Sequence, residues 1–256
     1  MKAIKYLALG IVSLPLLSGC DAMNQIASTL PQTTPGSTSS TGNSTSVTIT
    51  QAEATTGIKQ ALNNGLQNSI KTLSASNGFY GDALVKILMP KEAQKVEQAL
   101  RSVGMGKLVD NFVLSLNRAA ESAVKEAAPV FVNSLSQMTV TDAFNILLGT
   151  QQDAATSFFK RTTSATLTQK FSPIVETALG QNKVSTHWTQ LTSAYNALPI
   201  SKEKVQTDLN AYVTQKAIDG LFVKVADEEL KIRQNIGGSR NSSVLQSVFG
   251  WVDKQK

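Results

Sequence analysis

Apolar residues recur at steps of three and four through most of the chain that follows Thr50. This spacing places them on one face of an α-helix, whereas a half-buried strand alternates apolar and polar residues. The clearest stripe begins after Thr50, which stands three residues before Glu53 at the spacing of a capping box. Its apolar members are Ile58, Leu62, Leu66, Ile70 and Leu73. The pattern therefore predicts a helix that begins at about residue 51.

Comparable stripes continue towards the C-terminus, and prolines and glycines separate them. Pro90 suits the first turn of a helix, whereas Pro129 and Pro199 close helical stripes. Pro173 falls inside a helical pattern, so a kink or a split is expected there. Together the stripes predict an all-α fold, a multi-helix bundle of about eight to ten helices, in a single domain over residues 51–256.

Three shorter stretches carry local signals. Thr141 is expected to cap a short helix, and Thr150–Asp153 resembles a second capping box. The stretch FYGDALVKI, Phe79–Ile87, is the only strand-like candidate in the sequence. For this stretch we favour a turn and a short helix.

The first twenty residues follow a different pattern. Lys2 and Lys5 precede the apolar run YLALGIVSLPLL, and small residues then lead to Cys20. A basic start, a short apolar run and a small-residue processing site are typical of a secretory signal. A run of this length reaches only about 18 Å as a helix, against a hydrocarbon core of roughly 30 Å. Residues 1–19 are therefore predicted to be a signal peptide and not a membrane span.

The residues Leu17-Ser18-Gly19-Cys20 resemble the bacterial lipobox, in which leucine and two small residues precede an acylated cysteine. The resemblance implies a lipoprotein that carries diacylglycerol and fatty acids such as palmitate on Cys20. Several acyl chains anchor a protein firmly, at about 0.8 kcal/mol for each buried methylene. The alternative is an ordinary signal peptide with an incidental cysteine. Because Cys20 is the only cysteine, its acylation would exclude disulfides, thiolate catalysis and cysteine-bound metals from the mature chain.

Residues 20–50 are predicted to be a lipidated N-terminus and a flexible, disordered linker. Serine and threonine dominate from Pro31, and no charge occurs between Asp21 and Glu53. Such a segment can bury too little apolar surface to offset the entropy lost on ordering. About 30 such residues have a root-mean-square reach of roughly 30 Å. The expected location is the cell envelope, facing the periplasm, with the lipid in the inner or the outer membrane. Asp21 resembles an inner-membrane retention signal of enteric bacteria.

Charge and composition narrow the range of partners. Removal of Lys2 and Lys5 lowers the formal net charge from +6 to +4, a mild excess that anionic headgroups attract. No basic run is interleaved with aromatic residues, so nucleic acid is not an expected partner. His187 is the only histidine, and no set of zinc ligands or G-x-S-x-G elbow accompanies it. We therefore expect no metal, no cofactor and no catalytic residue, with His187 in a structural or surface position.

Five polar residues are candidates for a site. Arg118 and Glu121 share a helix face, and Asn117 lies beside the apolar stripe of the same helix. An Arg–Glu pair bonded by Asn117 can bind a carboxylate or a phosphate, or it can form a polar network that specifies helix packing. Asp142 and Asp153 lie in first turns, where they can cap the helices or form a general acid–base pair. We favour the network and the caps.

One late helix carries two further polar features. The charge run Asp227–Arg233 contains Glu229 and Arg233 at i,i+4 spacing, and it is expected to be a solvated helix face. Tyr212, Lys216 and Asp219 lie on the same helix, where they line a groove or form its rim.

Several blocks of sequence occur together in the order found in a known family. They read LNRAAESAV (116–124), MTVTDAFNILLG (138–149), DAATSFFKRTTSATLTQKFSPIV (153–175) and DLNAYVTQKAIDGLFVKVADEELKIR (208–233), with GFYGDALVKILMP (78–90) and SVFG (247–250) fitting as well. These blocks resemble the bacterial family named domain of unknown function 4197, and the chain departs from its pattern where a proline is expected after Asn235. The resemblance implies an exported, all-helical protein, often a lipoprotein. It brings no activity, substrate or catalytic residue.

The preferred hypothesis is a membrane-anchored, non-enzymatic helical module that binds or scaffolds in the cell envelope. Its expected partners are the membrane, through the lipid on Cys20, and an envelope protein or lipid. The alternative is an enzyme, or a lipid or small-anion binder, with a polar site around Arg118 and Glu121. The enzyme hypothesis requires Asp142 and Asp153 to converge with that pair in one pocket.

Overall fold

The computed structural model describes residues 49–199 and 208–255, which form nine α-helices, two short 3-10 helices and no strand. The α-helices are α1 Gln51–Ser74, α2 Gln94–Ser102, α3 Gly106–Val124, α4 Ala127–Gln137, α5 Val140–Leu148, α6 Ala154–Gln181, α7 Val184–Asn196, α8 Leu209–Gln234 and α9 Ser243–Asp253. The 3-10 helices are Lys91–Ala93 and Ile236–Gly238. The all-α multi-helix bundle is confirmed, while the signal peptide, Cys20 and most of the linker lie outside the described residues.

Helix α1 begins where the sequence predicts. The Thr50 hydroxyl accepts a hydrogen bond from the Glu53 N–H at 3.2 Å, and the Glu53 carboxylate accepts one from the Thr50 N–H at 2.9 Å. This reciprocal capping box satisfies two N–H groups at the helix start. The predicted apolar stripe is buried along its whole length. Gly57 allows close packing against α9, because a Cβ there would lie 2.5 Å from Val248 Cγ2.

The core lies between α6, α8 and α3, with α1 packed against α3 and α8. Phe131 of α4 is fully enclosed and meets two rings edge-on. Its centroid lies 5.3 Å from that of Phe159 in α6 and 6.2 Å from that of Phe222 in α8. Edge-to-face contacts are favourable because the ring edge is positive and the ring face negative. This arrangement fixes α4, α6 and α8 against one another.

Helix α6 differs from the expectations at both Pro173 and its start. It runs through Pro173 without a break, so of the two expected alternatives, a kink or a split, the split is wrong. A proline removes one backbone hydrogen bond, while Phe171 and Val175 on either side are fully buried and hold both halves in the core. The capping box expected at Thr150–Asp153 is also wrong, because Asp153 precedes the first turn without a side-chain cap bond.

The cap of α5 is Thr139 and not Thr141. The Thr139 hydroxyl accepts from the Asp142 N–H at 3.1 Å, and the Asp142 carboxylate accepts from the Thr139 N–H at 3.1 Å. The box requires an acidic residue three positions after the hydroxyl. Thr139 meets this requirement, whereas Thr141 is followed by Phe144 at that position.

Residues 75–90, here called the strap, connect α1 to the 3-10 helix before α2. The strap consists of turns and an extended end, so the short helix expected in Phe79–Ile87 does not form. Phe79, Ile87 and Met89 are buried and fasten it to the core. Gly220 of α8 lets it approach, because a Cβ there would lie 2.7 Å from Phe79 Cε1.

Candidate functional site

Asn117 is fully buried on α3 and binds the strap directly. Its Oδ1 accepts a hydrogen bond from the Ile87 N–H at 2.9 Å, and its Nδ2 donates to the Ile87 carbonyl at 2.8 Å. The same Nδ2 donates to the Val113 carbonyl at 2.7 Å. The amide thus pairs with both backbone groups of Ile87, which is buried without a helical partner. Buried backbone groups need hydrogen bonds. Asn117 therefore provides the two hydrogen bonds that Ile87 would otherwise make in a helix or a strand.

Arg118 and Glu121 bind the first turn of the strap. Arg118 Nη1 donates to Glu121 Oε2 at 2.6 Å, and Arg118 Nη2 donates to Asn77 Oδ1 at 2.9 Å. The second oxygen of Glu121 accepts from the Phe79 N–H at 3.3 Å. The Glu121 side chain is only 6% exposed, against 30% for Arg118. The Arg–Glu pair inferred from their spacing is therefore present, and its partners are protein groups.

Helix α8 holds the outer half of the strap. The Lys224 ammonium forms an ion pair with the Asp82 carboxylate, which also accepts from the Leu84 N–H at 3.0 Å. These hydrogen bonds, first from Lys224 and then from Leu84, hold the pKa of Asp82 below its ordinary value of 3.8. Tyr212 donates its hydroxyl to the Leu88 carbonyl at 3.0 Å. Burial, followed by the nearby charge of Glu92, raises the pKa of the Tyr212 hydroxyl.

A shallow depression of about 350 Å³ lies beside Arg118. Its lining is hydroxyl-rich and basic, and it consists of Ser74, Ser76, Arg118, Glu121, Ser122, Lys125 and Asn182. Both terminal nitrogens of Arg118 already donate to Glu121 and Asn77. The planar fork that recognises a carboxylate or phosphate with two parallel bonds is thus directed at the protein itself. This geometry fits the packing network better than an anion site.

Asp142 and Asp153 do not join this depression. Asp142 caps α5, and hydrogen bonds from the Thr139 hydroxyl and N–H lower its pKa from the ordinary value of 3.8. It lines a separate depression of about 210 Å³ that also contains Arg161 and has no residue in common with the first. Asp153 is exposed at the start of α6 and lines neither depression. The convergence that the enzyme hypothesis requires is not found.

Glu229 and Arg233 are buried, which corrects the expectation that Asp227–Arg233 forms a solvated face. Their side chains are 4% and 6% exposed. Glu229 accepts from the N–H groups of Ala155 and Thr156 at 2.9 and 2.8 Å, so it caps α6 from α8. Arg233 donates to Glu229 and to the Ile146 carbonyl at 2.8 Å. The pair therefore joins the end of α5 and the start of α6 to α8, while Asp227 remains half exposed.

A groove of about 410 Å³ lies between the strap and α8. Tyr212, Lys216 and Asp219 line it, in agreement with the groove hypothesis for these residues. Its apolar lining includes Leu84, Leu88 and Val223, which are 78%, 60% and 42% exposed. Lys86, Lys91 and Glu92 add charge along the strap side. Sequence reasoning did not predict the strap half of the groove. The alternation of residues along the strap was a usable signal, because one set is buried and the other faces the groove. The buried set is Val85, Ile87 and Met89, and the groove set is Leu84, Lys86 and Leu88.

The described residues contain neither a cluster of metal-ligating side chains nor a helix suited to span a membrane. No three His, Cys, Asp or Glu side chains among them lie close enough to hold a metal ion, and His187 is half-buried in α7. None of their helices is both long enough and apolar enough to cross a membrane.

A family model described as "Protein of unknown function (DUF4197)" matches residues 48–250. The chain belongs to this family. The matched range includes the strap, the groove and both Arg–Glu pairs. The family resemblance in the sequence blocks is confirmed. No curated protein and no solved structure matches the chain. Inferences about the function of this DUF4197 protein therefore rest on its sequence and its geometry.

Proposed function

We propose that the protein is a lipid-anchored, non-enzymatic binding module of the bacterial cell envelope. The observation that carries the proposal is the groove between the strap and α8, where Leu84 and Leu88 expose most of their surface. Single exposed apolar residues are common, whereas exposed apolar residues grouped in a groove indicate an interaction site. The strap that presents them is held by hydrogen bonds from α3 and α8, so the binding surface is preformed.

The polar residues support a non-enzymatic role. Asn117 forms hydrogen bonds with the backbone of the strap, and Arg118 and Glu121 bind each other as well as the strap. Asp142 accepts a hydrogen bond from the N–H at the start of its own helix. A catalytic group has to reach a substrate proton or a reacting atom at hydrogen-bond distance. These side chains direct their hydrogen bonds into the fold instead. They stabilise the presenting scaffold.

The anchor is supported by the LSGC sequence that ends at Cys20, preceded by a basic and apolar leader. Acylation of Cys20 would hold the helical domain at the end of a linker with a reach of roughly 30 Å. The proposed partners, an envelope protein or the lipids themselves, lie within that distance of the membrane.

Two measurements in intact cells test the proposal. Labelled palmitate should be incorporated into the wild-type chain, and Cys20→Ala should abolish both the label and membrane fractionation. A photo-crosslinking residue at Leu88 should yield protein or lipid adducts that the same residue at Leu148 does not. Leu148 is a matched control because it is an exposed leucine, 47% accessible, that lies outside the groove. Membrane attachment without Cys20, or identical adducts from both positions, would overturn the proposal.

A further inference from the structure

We infer that the groove docks on the anionic surface of the bilayer that holds the lipid anchor. This inference rests on the proposed function and names the partner of the same surface, the headgroup region of an anionic phospholipid membrane. It assigns to Leu84 and Leu88 the role of entering the membrane interface, and to the lysines around them the role of binding headgroup phosphates.

The strap separates a buried face from an exposed face. Val85, Ile87 and Met89 are 6%, 1% and 3% exposed and pack into the core, whereas Leu84 and Leu88 point to solvent. Asn117 holds Ile87 from below, and the Tyr212 hydroxyl holds the carbonyl of Leu88. Because the backbone between the two leucines is fixed, they are presented together without a large entropy loss on docking.

Lysines accompany the leucines on the same surface. Lys86, Lys91 and Lys216 line the groove, against the acids Glu92 and Asp219. Lys86 rests its ammonium over the Tyr80 ring at 3.8 Å, a contact that leaves its charge intact. Lys216 lies 3.9 Å from Asp219, and both side chains are about half exposed, so water screens that pair. Apolar side chains flanked by lysines are characteristic of surfaces that bind anionic lipid interfaces.

The linker makes a modest surface affinity sufficient. The Ser/Thr-rich sequence predicts a flexible linker of about 30 residues after Cys20, and such a linker has a root-mean-square reach of roughly 30 Å. The proposed anchor would therefore keep the bilayer within reach of the helical domain. Docking then becomes an intramolecular event whose effective concentration is set by the tether. Two leucines and a small excess of positive charge can hold the groove on the membrane under these conditions. Without the anchor the same contacts still bind anionic vesicles, reversibly and to an extent that excess lipid makes measurable.

A flotation experiment tests docking without the anchor. The chain from residue 20 to residue 256, carrying Cys20→Ala, is mixed with vesicles of phosphatidylethanolamine and phosphatidylglycerol, or of phosphatidylcholine alone. We expect it to float with the anionic vesicles, less so as salt is raised because the Debye length shortens, and not with phosphatidylcholine. In the same background, Leu84→Gln/Leu88→Gln should lower the partition constant, obtained from the bound fraction at several lipid concentrations, by about tenfold, which corresponds to a loss of about 1.4 kcal/mol of binding.

The matched control is Val132→Gln/Leu148→Gln, which replaces two exposed apolar residues outside the groove. It should float like the parent chain, and far-UV circular dichroism should show that all variants are folded. Absence of flotation, equal binding to phosphatidylcholine, or equal loss in the groove and control variants would overturn the inference. The anchor is judged separately by palmitate labelling of Cys20, so failure of vesicle docking with labelled Cys20 would reject this inference and leave the proposed anchor standing.

Discussion

Glu229→Gln changes a single atom at the most heavily bonded buried carboxylate in the described structure. Oxygen Oε1 accepts from the Ala155 N–H at 2.9 Å and from Arg233 Nε and Nη2 at 3.0 and 2.8 Å. Oxygen Oε2 accepts from the N–H and the hydroxyl of Thr156, both at 2.8 Å. The glutamine NH₂ is expected to replace Oε2, because the Thr156 hydroxyl can accept from it. The Thr156 N–H is then left without an acceptor.

The expected loss of stability has two parts. A buried N–H without a partner costs about 1–3 kcal/mol. In addition, Arg233 is only 6% exposed, and loss of the negative charge leaves its guanidinium buried beside a neutral amide. Breaking one partner out of a buried ion pair costs roughly 3–5 kcal/mol in total. We therefore expect Glu229→Gln to lower the free energy of unfolding by about 3–5 kcal/mol.

Urea unfolding followed by far-UV circular dichroism measures this loss. With a slope of about 2 kcal/mol per molar urea, the midpoint should fall by roughly 1.5–2.5 M. Asp227→Asn is the matched control, since Asp227 lies on the same helix with a side chain 48% exposed, and it should change stability by no more than about 0.5 kcal/mol. If Glu229→Gln stays within about 1 kcal/mol of wild type, the reasoning from burial and bonding is refuted.

Three further predictions use the same unfolding measurement. Asn117→Ala should cost about 2–4 kcal/mol, because both backbone groups of Ile87 lose their partner, and a loss under about 1 kcal/mol would contradict that account. Gly57→Ala should cost about 1–3 kcal/mol through overpacking on α9, whereas Gly180→Ala, where a Cβ meets nothing within 4 Å, should be neutral or stabilising. The depressed pKa of Asp82 contributes stability that is present above its ordinary value of 3.8 and is lost as the pH falls below it. The stability gap between wild type and Asp82→Asn should therefore be constant from about pH 7 to pH 5 and shrink as the pH falls below about 4, and a gap that stays constant down to about pH 2 would exclude this linkage.

Helix positions were predictable because the buried face of each helix requires apolar residues at helical spacing. The stripe from Ile58 to Leu73 faces the core along all of α1, and a residue on that face has to be apolar whatever it packs against. Capping was predictable only where both members of the box are local. Thr50 and Glu53 satisfied that condition, whereas the cap of α6 comes from Glu229, far along the sequence on another helix. The residues near position 150 therefore could not predict that Glu229 caps α6.

The spacing of a charge pair does not reveal whether the pair is buried. Glu229 and Arg233 have the i,i+4 spacing of an ordinary surface pair, and only the packing of α6 onto α8 encloses them. For Arg118 and Glu121 the preferred hypothesis was a packing network, and the structure supplies the partners, Asn77 and Phe79, that such a network requires. Those partners lie in the strap, which has an irregular backbone. Helical periodicity therefore could not predict that they contact α3.

The strap explains why polar residues that resemble a site are not directed at a ligand. A segment without helix or sheet brings buried N–H and C=O groups that must be bonded by side chains. Helix α3 meets this need with Asn117 and Glu121. Helix α8 adds a hydrogen bond from Tyr212 to the Leu88 carbonyl and an ion pair between Lys224 and the Asp82 carboxylate. Once these side chains are engaged, the surface left for binding is the outward face of the strap itself. Its chemistry is that of leucine and lysine, which suits a surface or a partner better than a reaction.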